Sequence, residues 1–90
     1  MTEREKMGAY LLKIRECTPS KEYNKEHISQ QELADNNTGL TKYFIGTVER
    51  GEANPTLNKL ILLAKSLDQK KVTLFNVQID VQKYTEELNK

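Results

Sequence analysis

Two helix starts of the same design follow one another in the middle of this 90-residue chain, and the cluster between them is one that a helix does not cross. In the first, Ser29-Gln30-Gln31-Glu32 has the S/T-x-x-E form of a capping box, and Ile28 and Leu33 stand where a hydrophobic staple needs them. In the second, Thr41 is the N-cap, with Leu40 and Ile45 in the staple positions. Asn36-Asn37-Thr38-Gly39 breaks the chain between them, because Asn and Gly tolerate the left-handed backbone of a tight turn. Gly51, after Arg50, fits the left-handed residue that commonly closes a helix.

Two short helices joined by a tight, glycine-containing turn make a helix-turn-helix pattern. Plotted at about 100° per residue, the second of them separates into two faces. Phe44, Ile45 and Val48 fall on one, with Thr41 and Glu49 at its margins. Lys42, Tyr43, Gly46, Thr47 and Arg50 fall on the other. One face can pack. The other offers a cation, a phenol, a hydroxyl and a bare backbone position to something outside the core.

The rest of the chain reads as helices around this pair. Thr2-Glu3-Arg4-Glu5 is a capping box for a first helix, in which Met7, Tyr10, Leu11 and Ile14 form an apolar stripe weakened slightly by Gly8. Pro19 disfavours helical geometry at Thr18, so that helix ends near Glu16 or Cys17. Residues 18–27 are a polar surface connection, with room for a short helical turn after Ser20. Thr56 caps a fourth helix, whose Leu57, Leu60, Ala64 and Leu67, widened by Ile61 and Leu63, predict burial over more than half its girth. The last twenty residues carry two signals. Val77, Ile79 and Val81 alternate with polar residues as in a strand, while Leu74, Val77, Val81, Tyr84 and Leu88 step by three and four as in a helical seam. The helical match covers more of the segment and predicts a helix. The expected fold is all-α, with residues 1–75 as one domain and 76–90 as a C-terminal amphipathic extension.

Composition limits the functions on offer. Net charge is +1, so a nucleic-acid partner has to be met by a local basic face rather than by the average charge. The single cysteine, Cys17, has no intrachain disulfide partner and no metal-ligand spacing around it; it reads as an ordinary thiol in a reducing cytoplasm. His27 stands alone beside Ile28 and reads as a solvent-facing residue before a helix rather than as a ligand or base. No Ser/His/Asp grouping, phosphate-cradling glycine loop or metal cluster is visible, so no enzyme, cofactor or metal is expected. Neither a membrane-length apolar run nor a signal-peptide core is present, and a cytoplasmic location is expected.

Residues 28–67 contain Ile-Ser-Gln-Gln-Glu-Leu-Ala, Gly-Leu-Thr, Tyr-Phe-Ile-Gly-Thr-Val-Glu-Arg-Gly, Asn-Pro-Thr-Leu and Leu-Leu-Ala-Lys-Ser-Leu, in that order. This set resembles the lambda-repressor/Cro-like, or XRE-like, helix-turn-helix family, which includes phage repressors, restriction–modification controller proteins and many bacterial regulators. The resemblance implies a bundle of about five helices with the third in the DNA major groove. It implies base-edge contacts at Lys42, Tyr43, Gly46 and Thr47, phosphate contacts at Gln30 and Asn54, and a structural ion pair between Arg15 and Glu49. Two departures stand out. The connection from Arg15 to Ile28 is longer than the family's, and so is the turn before Gly39.

The expected DNA-binding set is therefore Gln30, Gln31, Thr41, Lys42, Tyr43, Gly46, Thr47, Arg50 and Asn54. Lys42 can donate to guanine, Tyr43 and Thr47 can meet a base or a phosphate, and Arg50 can fork onto phosphate. Each of these residues is also compatible with plain solvation, and Arg50 with stabilisation at a helix C-terminus. The tail seam can complete the monomer core or build a two-fold dimer that sets two recognition helices about one DNA turn apart. The expected function is a sequence-specific transcriptional regulator acting on double-stranded DNA as a homodimer, with no small-molecule ligand. The alternative is a protein-interaction adaptor or antitoxin-like module on the same fold.

Overall fold

Every helix start in the first half of the chain carries a hydroxyl cap, and the structure uses all of them. The computed structural model describes residues 1–22, 25–74 and 76–88. Expectations that fall on Tyr23 and Asn24 of the connection, on Phe75 or on Asn89 and Lys90 of the extension lie outside the described residues. The chain divides into two compact units, Met1–Asn54 and Pro55–Lys90.

The first unit holds three helices, α1 (Glu3–Glu16), α2 (Gln30–Asp35) and α3 (Lys42–Glu49). At α1 the capping box is complete: Thr2 Oγ1 accepts from the Glu5 amide, and the Glu5 carboxylate accepts from the Thr2 amide at 2.9 Å. Ser29 Oγ accepts from the Glu32 amide and Thr41 Oγ1 from the Phe44 amide, so both middle helices begin where the sequence places them. The staple residues Ile28, Leu33, Leu40 and Ile45 are all buried. Asn37 closes α2 by donating its side-chain amide to the Leu33 carbonyl at 2.8 Å, which keeps the longer turn tight. Gly51 has φ 73°, and its amide and that of Glu52 donate back to Val48 and Thr47. A side chain there would meet unfavourable backbone geometry and the backbone of Glu5 as well.

The buried face of α1 is rotated from the predicted stripe. Met7, Gly8, Leu11 and Arg15 are buried, while Tyr10 is exposed and Ile14 only half-buried. The reason is Gly8, whose missing side chain lets α3 come so close that a Cβ would collide with the Val48 and Glu49 carbonyl oxygens. Gly8 is thus not a mere weak point in a helix but the place where α1 meets α3.

The second unit contains α4 (Leu57–Ser66), strands β1 (Lys71–Leu74) and β2 (Val77–Asp80), and α5 (Val81–Leu88). Leu60, Ile61, Leu63, Ala64 and Leu67 are buried, as predicted, although Leu57 at the first turn is 43% exposed. The expectation of an all-α fold is corrected here: the strands pair antiparallel, with Lys71 opposite Asp80 and Leu74 opposite Val77. The single helical seam is corrected with it. Leu74 and Val81 are buried, but Val77 and Leu88 are 60% and 50% exposed, so no continuous stripe exists. Alternation in β1 buries Val72 and Leu74 together, and Asn76 turns the chain at φ 65°, a conformation Asn adopts at modest cost. The strand signal at Val77 and Ile79 was the correct one for those residues; Val81 begins α5, whose Lys83 amide is capped by Asp80. Tyr84 donates its hydroxyl to Asn58 Oδ1, tying α5 to α4. A boundary between 75 and 76 falls inside this paired hairpin.

Gly8→Ala is expected to lower stability by about 2 kcal/mol, the cost of inserting a methyl group where backbone cannot yield. Urea unfolding followed by circular dichroism reads this; an unchanged midpoint would show that α1 and α3 are not in the contact described.

Candidate functional site

Glu49 is the last residue of α3, and its carboxylate gathers three elements. Arg15 of α1 grips it with two parallel bonds, Nε to Oε2 at 2.7 Å and Nη2 to Oε1 at 3.1 Å. Nη1 of the same guanidinium donates to the Ile28 carbonyl at 3.0 Å, just before α2. Gln30 of α2 adds a fourth bond, Nε2 to Glu49 Oε1 at 2.7 Å. Both charged side chains are about nine-tenths buried, so this is a desolvated, bidentate pair with its remaining hydrogen-bonding groups satisfied. It is the ion pair that the resemblance implies for Arg15 and Glu49.

The long connection is held from below by Glu32. That residue is buried, and its carboxylate accepts from Ser20 Oγ at 2.6 Å and from the backbone amides of Lys21 and Glu22 at 2.9 and 3.3 Å. The ends of the connection are closed by the Ile28 amide donating to the Thr18 carbonyl at 2.7 Å. Sequence reasoning gave Glu32 to a capping box with Ser29. The structure keeps half of that box, the Ser29 hydroxyl, and turns the carboxylate to the connection instead. The bond from Ser20, with the two amides and the charge of Lys25 in support, holds the Glu32 carboxyl below its ordinary pKa against the opposing effect of burial.

The predicted contact residues fall into two groups. Lys42 and Tyr43 open α3 on its outer side, exposed, with Tyr43 79% accessible. Gln31, on α2, is exposed and donates to Asp35 at 2.8 Å. Asn54 is exposed beyond α3. Arg50 is exposed and paired with Glu52, Nε to Oε1 at 2.7 Å. The others are engaged within the unit. Gln30 is half-buried on Glu49, Thr41 caps α3, Thr47 donates its hydroxyl to the Phe44 carbonyl at 2.8 Å, and Gly46 is buried. Gly46 lies beneath two side chains: a Cβ built on it would be 3.0 Å from Arg50 Nη1 and 3.5 Å from Gln30 Oε1. Glu52 was not anticipated from the sequence, where an acidic residue after the helix carries no distinguishing signal. His27 is exposed, with Nδ1 3.2 Å from the Ile28 carbonyl, and Cys17 is exposed and unbridged.

Over 45 residues, half of this chain, the sequence is 49% identical to the control protein C.SmaI of Serratia marcescens. The match covers 52% of that protein, so the chain spans about half the length of the curated relative. No family model matches the chain, and no solved structure matches it.

Two predictions follow from the buried carboxylates. Replacing Glu49 by Ala strands the Arg15 guanidinium without a counter-charge and is expected to cost about 3 kcal/mol in chemical unfolding. Glu32 acts through pH. Its folded pKa is depressed, so its contribution is complete above the unfolded carboxyl value of about 4.3 and drains away as pH falls through the lower folded value. Glu32→Gln should therefore be less stable than the native chain at neutral pH, with the difference shrinking below about pH 4. Parallel melting curves at stepped pH would reveal it, and a gap that stays constant into acid would dismiss the assignment.

Proposed function

We propose that this chain is a sequence-specific DNA-binding regulator of transcription, of repressor or controller type. In this reading α2 and α3 act as a helix-turn-helix, with α3 in the major groove and the α2 side chain Gln31 on the sugar–phosphate backbone, while Gln30, its amide nitrogen donated to Glu49, supports α3. The observation that carries it is the outer face of α3. Lys42 and Tyr43 stand exposed at its start, Arg50 and Asn54 just past its end, and the helix beneath them is fixed by the Arg15–Glu49–Gln30 network. Such a face offers donors for base edges and phosphates on a rigid support, which is what groove reading asks of a protein. The identity shared with a protein named as a control protein supports the same reading.

A cytoplasmic homodimer completes the proposal. One domain of this size makes few contacts, and two copies read two half-sites about one DNA turn apart. Residues 76–90 are the element we assign to assembly, on the strength of the exposed Val77 and Leu88.

Titration of fluorescent duplexes, first from a random pool and then from its selected winners, tests the proposal by anisotropy. Affinity is expected to fall steeply with salt, and the Lys42→Ala, Tyr43→Ala double variant to lose about tenfold or more on selected sites and less on mixed sequence. A double variant that binds as well as the native chain would remove α3 as the reading element. Absence of any salt-sensitive affinity in the native chain would instead favour a protein-interaction adaptor.

A further inference from the structure

Arg50, Gly46 and Gln30 form one notch, and the geometry points to it as a reader of a single G·C base pair, with Arg50 on the guanine edge rather than on a phosphate. The inference rests on the DNA-binding reading above. It concerns which residue reads a base and what holds that residue in place.

Arg50 follows the last turn of α3, and a helical side chain leans back toward the preceding turn. Here it leans over residue 46, where the glycine lets it lie close: Nη1 is 3.0 Å and Cζ 3.8 Å from the position a Cβ would take, so a side chain there would push the guanidinium aside. Gln30 reaches the same point from α2, its Oε1 at 3.5 Å. Its amide is oriented by Glu49, which takes the Nε2 donor and leaves the oxygen toward Gly46. Donors from one side chain and an acceptor from another therefore flank one bare backbone position.

The other end of Arg50 is held too. Nε donates to both oxygens of Glu52, at 2.7 and 3.1 Å. Both side chains are more than half exposed, and an exposed pair of this kind adds little to stability. What it does is hold the fork through Nε, so that the two amino groups at its tip, with Nη1 lying over Gly46, are not spent on that carboxylate. It also selects the acceptor. A carboxylate fixed on Nε repels a phosphate brought to the same guanidinium, whereas the O6 and N7 of guanine are neutral acceptors and carry no such penalty. In the major groove a G·C pair presents those two acceptors and then the cytosine N4 donor. The notch presents the complement: amino donors from Arg50, and beside them the Gln30 oxygen. Gly46, whose presence costs helix stability, is explained by the same arrangement, since a side chain there would displace the fork.

The experiment uses the full chain and duplexes selected from a random pool. Arg50→Lys keeps the charge and loses the fork; Glu52→Gln keeps the fork and loses its anchor. For Arg50→Lys, affinity for the selected site should fall about tenfold while mixed-sequence binding stays within about twofold, and a reselected pool should lose one G·C preference per half-site. Replacing that guanine by 7-deazaguanine, which lacks N7, should weaken the native chain and leave Arg50→Gln, which has no cation to place there, unaffected, with Arg50→Lys in between. Glu52→Gln should raise mixed-sequence affinity and lower the ratio of selected to mixed binding. The deazaguanine arm needs no variant, so a folding defect does not blunt it. Equal loss on selected and mixed DNA for Arg50→Lys, with a salt slope reduced by about one, would make Arg50 a phosphate contact and overturn the inference while the DNA-binding reading stands. Indifference of the native chain to deazaguanine at every selected guanine overturns it equally. Failure of the native chain to bind DNA at all removes the reading on which it rests.

Discussion

The bidentate grip of Arg15 on Glu49 is the interaction on which the arrangement of the first unit turns, because it joins all three helices through polar bonds of fixed geometry over the buried Leu11, Leu33, Ile45 and Val48. α2 is six residues long and α3 eight, lengths at which an isolated helix has almost no stability of its own. Their caps and staples set where each begins, but not the angle between them. That angle is fixed by a carboxylate at the end of α3 that binds α1 through Arg15 and α2 through Gln30, while Arg15 also reaches the Ile28 carbonyl. Beside the pair, Gly8 lets the backbones of α1 and α3 approach. A buried ion pair is seldom a net source of stability; its contribution here is to make one arrangement much better than its neighbours.

The same economy governs charge on the outer face. Two of the carboxylates around α3 are occupied: Glu49 faces inward to Arg15, and Glu52 lies on Arg50. What remains outward at the start of the helix is Lys42 with Tyr43. With Arg50 paired, the positive charge turned outward at the start of α3 is that of Lys42, in a chain whose net charge is +1. Gln30 shows how support and function overlap, since the bond that stabilises Glu49 is also what aims its amide oxygen.

Legibility in the sequence followed the range of the interactions. Caps, staples, the Asn–Gly break and the closing Gly51 are set by residues within four or five positions of each other, and they appear in the structure where they were read. The Arg15–Glu49 pair spans 34 positions and was reached through resemblance, not through any local pattern. Glu32 was misassigned for the related reason that a capping box and a carboxylate turned to a distant loop have the same local sequence. In the second unit the residues from Leu74 onward satisfied two periods at once. The choice fell to the strand because β1 alternation buries Val72 and Leu74 on one side, a gain that appears only when the chain folds back.

By itself, then, the sequence determined the helix boundaries of the first unit, the burial of α4 and the polar outer face of α3, since short-range backbone satisfaction and hydrophobic period are written in neighbouring residues. The tertiary structure alone decided the hairpin, the clamp of Glu32 on the long connection, and the arrival of Gln30 from α2 at Gly46 beside Arg50. Those depend on which distant groups come within bonding distance. That is a property of the closed fold, and no window of neighbouring residues contains it.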